Sequence, residues 1–320
     1  MTVIEARGLC RDFAVTTRTG WWRRQTRIVT AVDAIDLMIE CGETVGYIGP
    51  NGAGKSTTLK MLTGLLSPSG GFVRVCDLEP VPQRTHLARQ IGVVFGHRTQ
   101  LWWDLPLLQS FELLRHVYGV RAGDHAARLA QARRFLELDA FLDVPVRQLS
   151  LGQRMRGELA AALLHGPSVL FLDEPTIGLD IVSKQAVRAF LATLGAAGDT
   201  TIVLTTHDLA DIERLCRRLV VIDQGRIVHD GTLDELHARH GSRRRLVVDL
   251  DAPLATPLAL PGVTVDSVQA DGRRITYAID GSMTTAGEVL RRLTEVAGLR
   301  DIAILEPAIE DVVTRLYARG

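Results

Sequence analysis

The sequence predicts an α/β domain followed by a small α+β domain. Short apolar segments typical of strands buried in a parallel sheet, such as 44–48 and 169–172, occur together with helical patterns. After residue 235, short strand patterns and turns dominate instead. The length of 320 residues also favours two domains, which we place at 1–238 and 239–320.

Charge and composition argue against several classes of protein. The 37 basic and 37 acidic residues give a formal net charge of zero, so general binding of nucleic acid or of anionic lipid has no support. No apolar run approaches the ~18 residues of a membrane-spanning helix, and the first residues lack a signal-peptide pattern. The four cysteines are far apart and predict isolated buried thiols. These features predict a cytoplasmic protein that binds no nucleic acid.

A phosphate-binding loop is predicted at 49–56, where GPNGAGKS fits the pattern G-x-x-x-x-G-K-[ST]. A β-prone segment precedes this loop and a helical pattern of leucines follows it; the alternative is a plain glycine turn before a helix. Lys55 is one of only three lysines, and its compact charge suits the β- and γ-phosphates. The Ser56 hydroxyl is a candidate Mg²⁺ ligand. The residues assigned to the nucleotide here are Gly49, Pro50, Asn51, Gly52, Ala53, Gly54, Lys55, Ser56 and Thr57.

Two adjacent carboxylates, Asp173 and Glu174, end the apolar segment 169–172. With a phosphate loop upstream, Asp173 is a candidate Mg²⁺ ligand and Glu174 a candidate catalytic base that polarises the attacking water. Side chains alternate along a strand, so we expect the two carboxylates to serve different atoms. Without the phosphate loop, a solvated strand end before Pro175 would explain the same pair equally well.

The segment 149–153, LSLGQ, precedes a helical pattern that ends near Gly166 and Pro167. Ser150 is a candidate helix cap, and a serine with a glycine-bearing backbone at a helix start favours anion binding. This is a second such site in one chain. One γ-phosphate hardly needs both sites from the same subunit.

Taken in order, GPNGAGKS, LSLGQ, LFLDEP, the triplet 178–180 and the triplet 206–208 resemble the ATP-binding cassette of ABC transporters, over residues 2–235. The resemblance implies a P-loop NTPase fold with a mixed sheet core and a helical subdomain at about 98–165. It also implies a head-to-tail homodimer, in which the phosphate loop of one subunit and LSLGQ of the other enclose each ATP with Mg²⁺. In this resemblance Ser150, Gly152 and Gln153 contact the nucleotide.

Three further roles follow from the same resemblance. Phe13 matches the aromatic residue that stacks on adenine, Asp180 the loop that crosses the dimer, and His207 the switch that contacts the γ-phosphate. Without the family, Phe13 would more often be a core residue and His207 a satisfied polar residue at a strand end.

The sequence departs from the family pattern in three places. Leu151 stands where glycine is commonest in the signature. His97 stands nearest the position of the glutamine that links Mg²⁺ to the membrane partner, and Gln100 is a second candidate. Residues 14–30 form an insertion, so Trp21 or Trp22 is an alternative to Phe13 as the adenine contact.

Two further regions of the sequence give predictions about protein partners. Trp102 and Trp103 suggest either an apolar groove for a permease helix or the core of the helical subdomain. After residue 238, strands are expected at 246–250, 263–265, 275–279 and 302–305, and helices at 283–296 and 309–317. The end of this part is similar to the tail of cassette subunits from bacterial multidrug and sodium exporters, whose permeases are separate chains.

The sequence therefore predicts the ATP-hydrolysing subunit of an ABC exporter, located at the cytoplasmic face of the membrane beneath separate permease chains. The alternatives are an importer subunit, a soluble cassette ATPase acting on ribosomes or DNA, and a P-loop kinase. A kinase would leave LSLGQ and His207 without a role.

Overall fold

The computed structural model describes residues 1–18, 24–96, 98–239, 244–254, 256–280, 283–305 and Val312. The chain divides into two compact units, Met1–Thr232 and Leu233–Gly320. The strands of the first unit are β1 (Thr2–Arg18), β2 (Arg24–Glu40), β3 (Thr44–Ile48), β4 (Gly70–Val75), β5 (Ile91–Phe95), β6 (Val169–Asp173), β7 (Thr201–Thr205), β8 (Arg218–Asp223) and β9 (Arg226–Thr232). Its helices are α1 (Lys55–Leu62), α2 (Arg84–Leu87), α3 (Leu107–Tyr118), α4 (Ala122–Leu136), α5 (Leu151–Leu163), α6 (Ile181–Ala197) and α7 (Leu209–Leu215).

A six-stranded mixed sheet forms the centre of this unit, with the order β5-β6-β7-β3-β8-β9. All neighbours are parallel except β9, which runs antiparallel to β8. Residues 169–172 of β6 are fully buried, as expected for a strand covered on both faces. The carboxyl ends of β3, β6 and β7 lie side by side, so the loops that follow them meet at one edge. The predicted mixed-sheet α/β fold is confirmed.

A second, antiparallel sheet has the order β2-β1-β4 and shares a hydrophobic core with β3 and α1. Large side chains such as Ile4, Leu37, Tyr47 and Met61 are fully or almost fully buried in this core. The expected insertion at 14–30 extends β1 and β2 as one hairpin, with pairing up to Arg18 and Arg24. Trp21 and Trp22 lie outside the described residues.

Helices α3, α4 and α5 lie between β5 and β6 in the chain and occupy the region expected for the helical subdomain. Each buries one apolar face, including Phe111 of α3, Leu136 of α4 and Leu159 of α5. Among the described residues, no helix has both the length and the apolar character needed to cross a membrane.

The second unit contains α8 (Leu233–Arg239), β10 (Arg244–Leu250), β11 (Val263–Gln269), β12 (Arg274–Ile279), α9 (Ala286–Val296) and β13 (Leu299–Leu305). Its strands form an antiparallel sheet with the order β11-β12-β10-β13, and side chains of α9 pack into the same hydrophobic core. Helix α9 begins three residues later than expected, because Thr285 caps it by accepting the Glu288 N–H. The helix expected at 309–317 lies outside the described residues apart from Val312, and the boundary after residue 238 stays a prediction.

The cysteine prediction was partly wrong. All four cysteines are free thiols, but only Cys216 is buried. Cys41 is exposed because it lies in the turn between β2 and β3, while Cys10 and Cys76 are half-buried.

Candidate nucleotide-binding site

The phosphate loop joins β3 to α1 at the carboxyl edge of the six-stranded sheet. Gly52 and Gly54 have φ values of +86° and +110°, where residues with a Cβ are strained. A Cβ on Gly54 would also lie 2.4 Å from the carbonyl oxygen of Ala31. The path of the loop therefore depends on glycine at these two positions.

Lys55 is the first residue of α1 and is only 8% exposed. Its Nζ donates hydrogen bonds to the carbonyl oxygens of Gly49 at 2.7 Å and Pro50 at 3.1 Å. Burial lowers the pKa of Lys55, and the nearby charges of Glu174 and Asp173 oppose that shift. Both acceptors are neutral, so an anionic phosphate oxygen would be a stronger partner for the ammonium.

Asp173 ends β6, and its Oδ1 accepts hydrogen bonds from Ser56 Oγ at 3.2 Å and from Thr205 Oγ1 at 2.6 Å. The sheet order explains this arrangement. Strand β7 lies between β6 and β3, and it therefore places Thr205 between Asp173, at the end of β6, and Ser56, in the helix that follows β3. Sequence reasoning missed Thr205. The one sequence feature that could have indicated Thr205 is its position at the end of a buried strand, two residues before His207.

Glu174 adopts a φ of +55° directly after β6, which is unusual for a residue with a side chain. Its backbone N–H donates to the carbonyl oxygen of Thr205 at 3.0 Å. Its Oε2 lies 2.7 Å from His207 Nδ1 and accepts the His207 backbone N–H at 3.3 Å. The two carboxylates thus have different partners: Asp173 contacts two hydroxyl groups, whereas Glu174 contacts His207.

Lys55, Glu174 and His207 line a cavity of about 580 Å³. The residues that line it are Asn51, Gly52, Gly54, Lys55, Ser56, Thr57, Glu174, Ile177 and His207. The structure therefore brings together the phosphate loop, the catalytic candidate Glu174 and the switch candidate His207. Ile177 is a lining residue that sequence reasoning did not single out.

The signature residues lie elsewhere, at the start of α5. Ser150 Oγ accepts the Gln153 backbone N–H at 3.2 Å, and Gln153 Oε1 accepts the Ser150 N–H at 2.9 Å, which closes a capping box. A Cβ on Gly152 would lie 2.1 Å from Ser183 Oγ, so α5 packs tightly against the start of α6. None of these residues lines the 580 Å³ cavity.

Asp180 caps α6 and belongs to this second group. Its carboxylate accepts hydrogen bonds from the Ser183 backbone N–H at 2.9 Å and from Ser183 Oγ at 2.8 Å. The backbone bond and the hydroxyl bond lower the pKa of Asp180. The residue is exposed and is absent from the lining of the phosphate cavity.

Comparisons with known proteins identify the family of this chain. A family model described as "ABC transporter" matches residues 32–177. Daunorubicin resistance ATP-binding protein DrrA3 from Streptomyces coeruleorubidus is 36% identical, and the match covers 89% of this chain and 90% of the relative. The chain belongs to the ABC transporter ATP-binding proteins.

Two further similarities support this assignment. Nod factor export ATP-binding protein I from Paraburkholderia xenovorans is 36% identical over 91% of this chain and 93% of its own length. A solved dimeric ATP-binding cassette in a post-hydrolysis state with ADP and Pi is 26% identical, with a TM-score of 0.61, over 72% of this chain and 98% of the other. The prediction of an ABC ATPase subunit of the exporter type is confirmed.

The candidates for the adenine contact, and for the glutamine that links Mg²⁺ to the membrane partner, remain predictions. Phe13 is half-buried, with the Arg11 guanidinium 4.7 Å from its ring centroid, and does not line the phosphate cavity. His97 lies outside the described residues. The Gln100 side-chain amide donates to the Glu158 carbonyl oxygen at 3.3 Å, so Gln100 lies against α5.

Trp102 and Trp103 are not core residues, since they are 39% and 48% exposed. The Arg154 guanidinium lies 5.5 Å from the Trp103 ring centroid. Trp103 lines a groove of about 480 Å³ between the helical region and the loops after β5 and β6. Other residues of this groove include Phe95, Arg98, Leu151, Met155 and Ile177.

Proposed function

We propose that this chain binds and hydrolyses Mg²⁺-ATP as one half of a head-to-tail homodimer and thereby drives export through separate permease chains. The observation that supports this proposal is that the two predicted anion-binding groups lie apart within one chain. Lys55, Glu174 and His207 line one cavity, while Ser150 lies outside it. A second copy of the chain would supply the missing signature.

Within each site, Lys55 and the phosphate-loop backbone would hold the phosphates, and the start of α1 would add a favourable positive potential. Glu174 would accept a proton from the attacking water, and His207 would orient Glu174 through their 2.7 Å contact.

The Ser56 hydroxyl and the Asp173 carboxylate fit a Mg²⁺ ion that arrives with ATP, since they are adjacent oxygen donors. Among the described residues, no group of three or more His, Cys, Asp or Glu side chains could hold a metal. This suits an ion bound largely by phosphates. When bound, Mg²⁺ would neutralise charge on those phosphates.

The groove beside Trp103 is the surface we assign to a permease helix at the cytoplasmic face of the membrane. Exposed aromatic side chains on a folded domain favour a protein partner, since they bury a large area at low cost in side-chain entropy. The groove also contacts Leu151 of the signature helix. A helix bound there would be linked to the dimer surface.

We assign residues 239–320 an accessory role in self-association or transport coupling. A chain ending at residue 238 should therefore retain nucleotide binding while self-association or coupling weakens. Loss of nucleotide binding on truncation would show that the boundary after residue 238 is misplaced.

The test of the catalytic assignment is Glu174→Gln, which keeps the shape of the side chain and removes the base. We expect phosphate release to fall by roughly 100-fold or more while ATP still binds. The variant should accumulate as an ATP-dependent dimer in size-exclusion chromatography, because opening follows hydrolysis. Near-normal phosphate release would show that Glu174 is not the catalytic base. Absence of an ATP-dependent dimer would contradict the composite site.

A further inference from the structure

A cluster of charged side chains, of which Asp211 is buried and the others partly buried, lies between α6 and α7, outside the phosphate cavity. We call it the α6–α7 charge cluster; its members are Thr176, Lys184, Arg188, Asp208 and Asp211. Asp211 is completely buried and Thr176 is 3% exposed. Asp208 belongs to the triplet 206–208, but neither the motifs nor the proposed catalytic steps assign a role to the side chains of these five residues.

The contacts within the cluster join the two helices at two points. Lys184 Nζ contacts Asp208 Oδ2, which also lies 3.2 Å from Arg188 Nη2. Arg188 Nε contacts Asp211 Oδ1, and Thr176 Oγ1 donates to Asp211 Oδ2 at 2.6 Å. Arg188 therefore bridges Asp208, the N-cap of α7, and Asp211 within that helix.

The charges in the cluster balance, since two cations face two carboxylates. Burial alone would raise the pKa of Asp208, but the hydrogen bond and charge of Lys184, with the charge of Arg188, hold it below its usual value. Removing one cation would leave a partly buried carboxylate short of a partner, which is costly. The cluster therefore links α6 to the start of α7 through paired charges.

Each end of this connection lies next to a loop of the site. Asp208 directly follows His207, and its N–H donates to Thr206 Oγ1 at 3.0 Å. Thr176 lies two residues after Glu174. The Lys184 backbone N–H donates to the Asp180 carbonyl oxygen at 2.9 Å. The cluster thus joins the segments that carry Glu174, Asp180 and His207.

We propose that Lys184 and Arg188 are positioning residues for hydrolysis. They hold α7 so that His207 Nδ1 stays within hydrogen-bond distance of Glu174 Oε2, and they tie this contact to the Asp180 loop. Neither residue lines the phosphate cavity, so their effect passes through His207. This inference rests on the proposed roles of Glu174 and His207.

The first test is Lys184→Met, with Lys184→Arg as the conservative variant. Because small misplacements of catalytic groups are costly, we expect kcat to fall roughly 10-fold in Lys184→Met, with KM for ATP unchanged. Lys184→Arg should recover most of the activity. If Lys184→Met does not fold, Lys184→Gln replaces it in this test. Its amide can donate a hydrogen bond to Asp208 but carries no charge.

The matched control is Arg218→Met. Arg218 also bridges two carboxylates, Glu43 and Asp230, but at the amino end of β8, the edge of the sheet opposite the phosphate loop. The Arg218→Met variant should have a lower melting temperature and an unchanged kcat. An equal fall in kcat for Arg218→Met and Lys184→Met would overturn the proposal, because stability alone would then explain both.

The second test is a double-mutant cycle with His207→Ala. If Lys184 acts through His207, Lys184→Met should add little to the loss of kcat caused by His207→Ala. Multiplicative losses would refute positioning through His207. Normal turnover in Glu174→Gln would instead show that the proposed catalytic assignment itself has failed. If Glu174→Gln is inactive and Lys184→Met has normal kcat, only the positioning role is refuted.

Discussion

Two helix starts in this chain combine serine and glycine, and they are built in opposite ways. Helix α1 begins at Gly54 and Lys55, without a capping side chain, and its first residues line a cavity. Helix α5 begins at Ser150, which closes a capping box with Gln153. Neither helix has an acidic residue in its first turn. Both therefore keep the positive potential of a helix start, but the first residues of α1 line the phosphate cavity, whereas Ser150 and Gly152 lie outside it.

The sharpest test of this difference is Lys55→Ala, compared with Lys60→Ala on the same helix. Lys55 is buried in the cavity, while Lys60 is exposed. Removing the charged donor should weaken ATP binding to the isolated chain by about 10-fold to 100-fold. Lys60→Ala should bind normally, as measured by titration with a fluorescent nucleotide. Equal affinities in the two variants would contradict the assignment of the phosphate loop.

At the other helix start, Ser150→Ala and Ser150→Asp separate capping from phosphate binding. Alanine removes the cap and should cost about 1 kcal/mol of stability, whereas aspartate is an equally good cap. Both should leave nucleotide binding to the dilute chain intact. Turnover should fall in both, and further in Ser150→Asp because its carboxylate would repel the γ-phosphate.

The decisive measurements are nucleotide affinity at low protein concentration and phosphate release at high concentration. Weakened affinity of the dilute Ser150→Ala chain would mean that the two helix starts act within one subunit. Normal turnover of Ser150→Asp would exclude Ser150 from the phosphate contact.

A smaller effect is expected from alkaline pH. Burial lowers the pKa of Lys55 below its usual 10.5, and the ammonium is charged only below that lowered pKa. ATP affinity should therefore fall as pH rises toward 10.5, earlier than for an exposed lysine. Lys55→Arg should bind more weakly but with a flat profile, since its guanidinium stays charged. A steep profile in Lys55→Arg would assign the pH dependence to another group.

The smallest effect is expected from Leu151→Gly, which restores the commonest signature residue. Leu151 is 38% exposed at the first position of α5. Glycine in a helix costs up to about 1 kcal/mol, so a modest fall in melting temperature should accompany near-normal turnover. A change in turnover as large as that of Ser150→Ala would give the leucine side chain a role at the dimer surface.

Much of the site was predictable because it depends on residues that are close together in the sequence. The order of strand, glycine loop and helix around Lys55 needs only neighbouring residues, and so does the pair of carboxylates that ends β6. The cap at Ser150 is local as well, since its partner Gln153 is three residues away. The mixed-sheet fold followed from the family resemblance that these patterns carried.

Other features depend on contacts between distant segments, which no local pattern encodes. Thr205 joins Asp173 because the order of the six-stranded sheet places β7 between β6 and β3. The exposure of Trp103 and the contact between Gly152 and Ser183 depend on how helices pack. Residue types and spacing along the chain carry the local chemistry of a binding loop. Which side chains meet across 20 to more than 100 residues depends on strand order and helix packing, because burial and electrostatic pairing act through space rather than along the sequence.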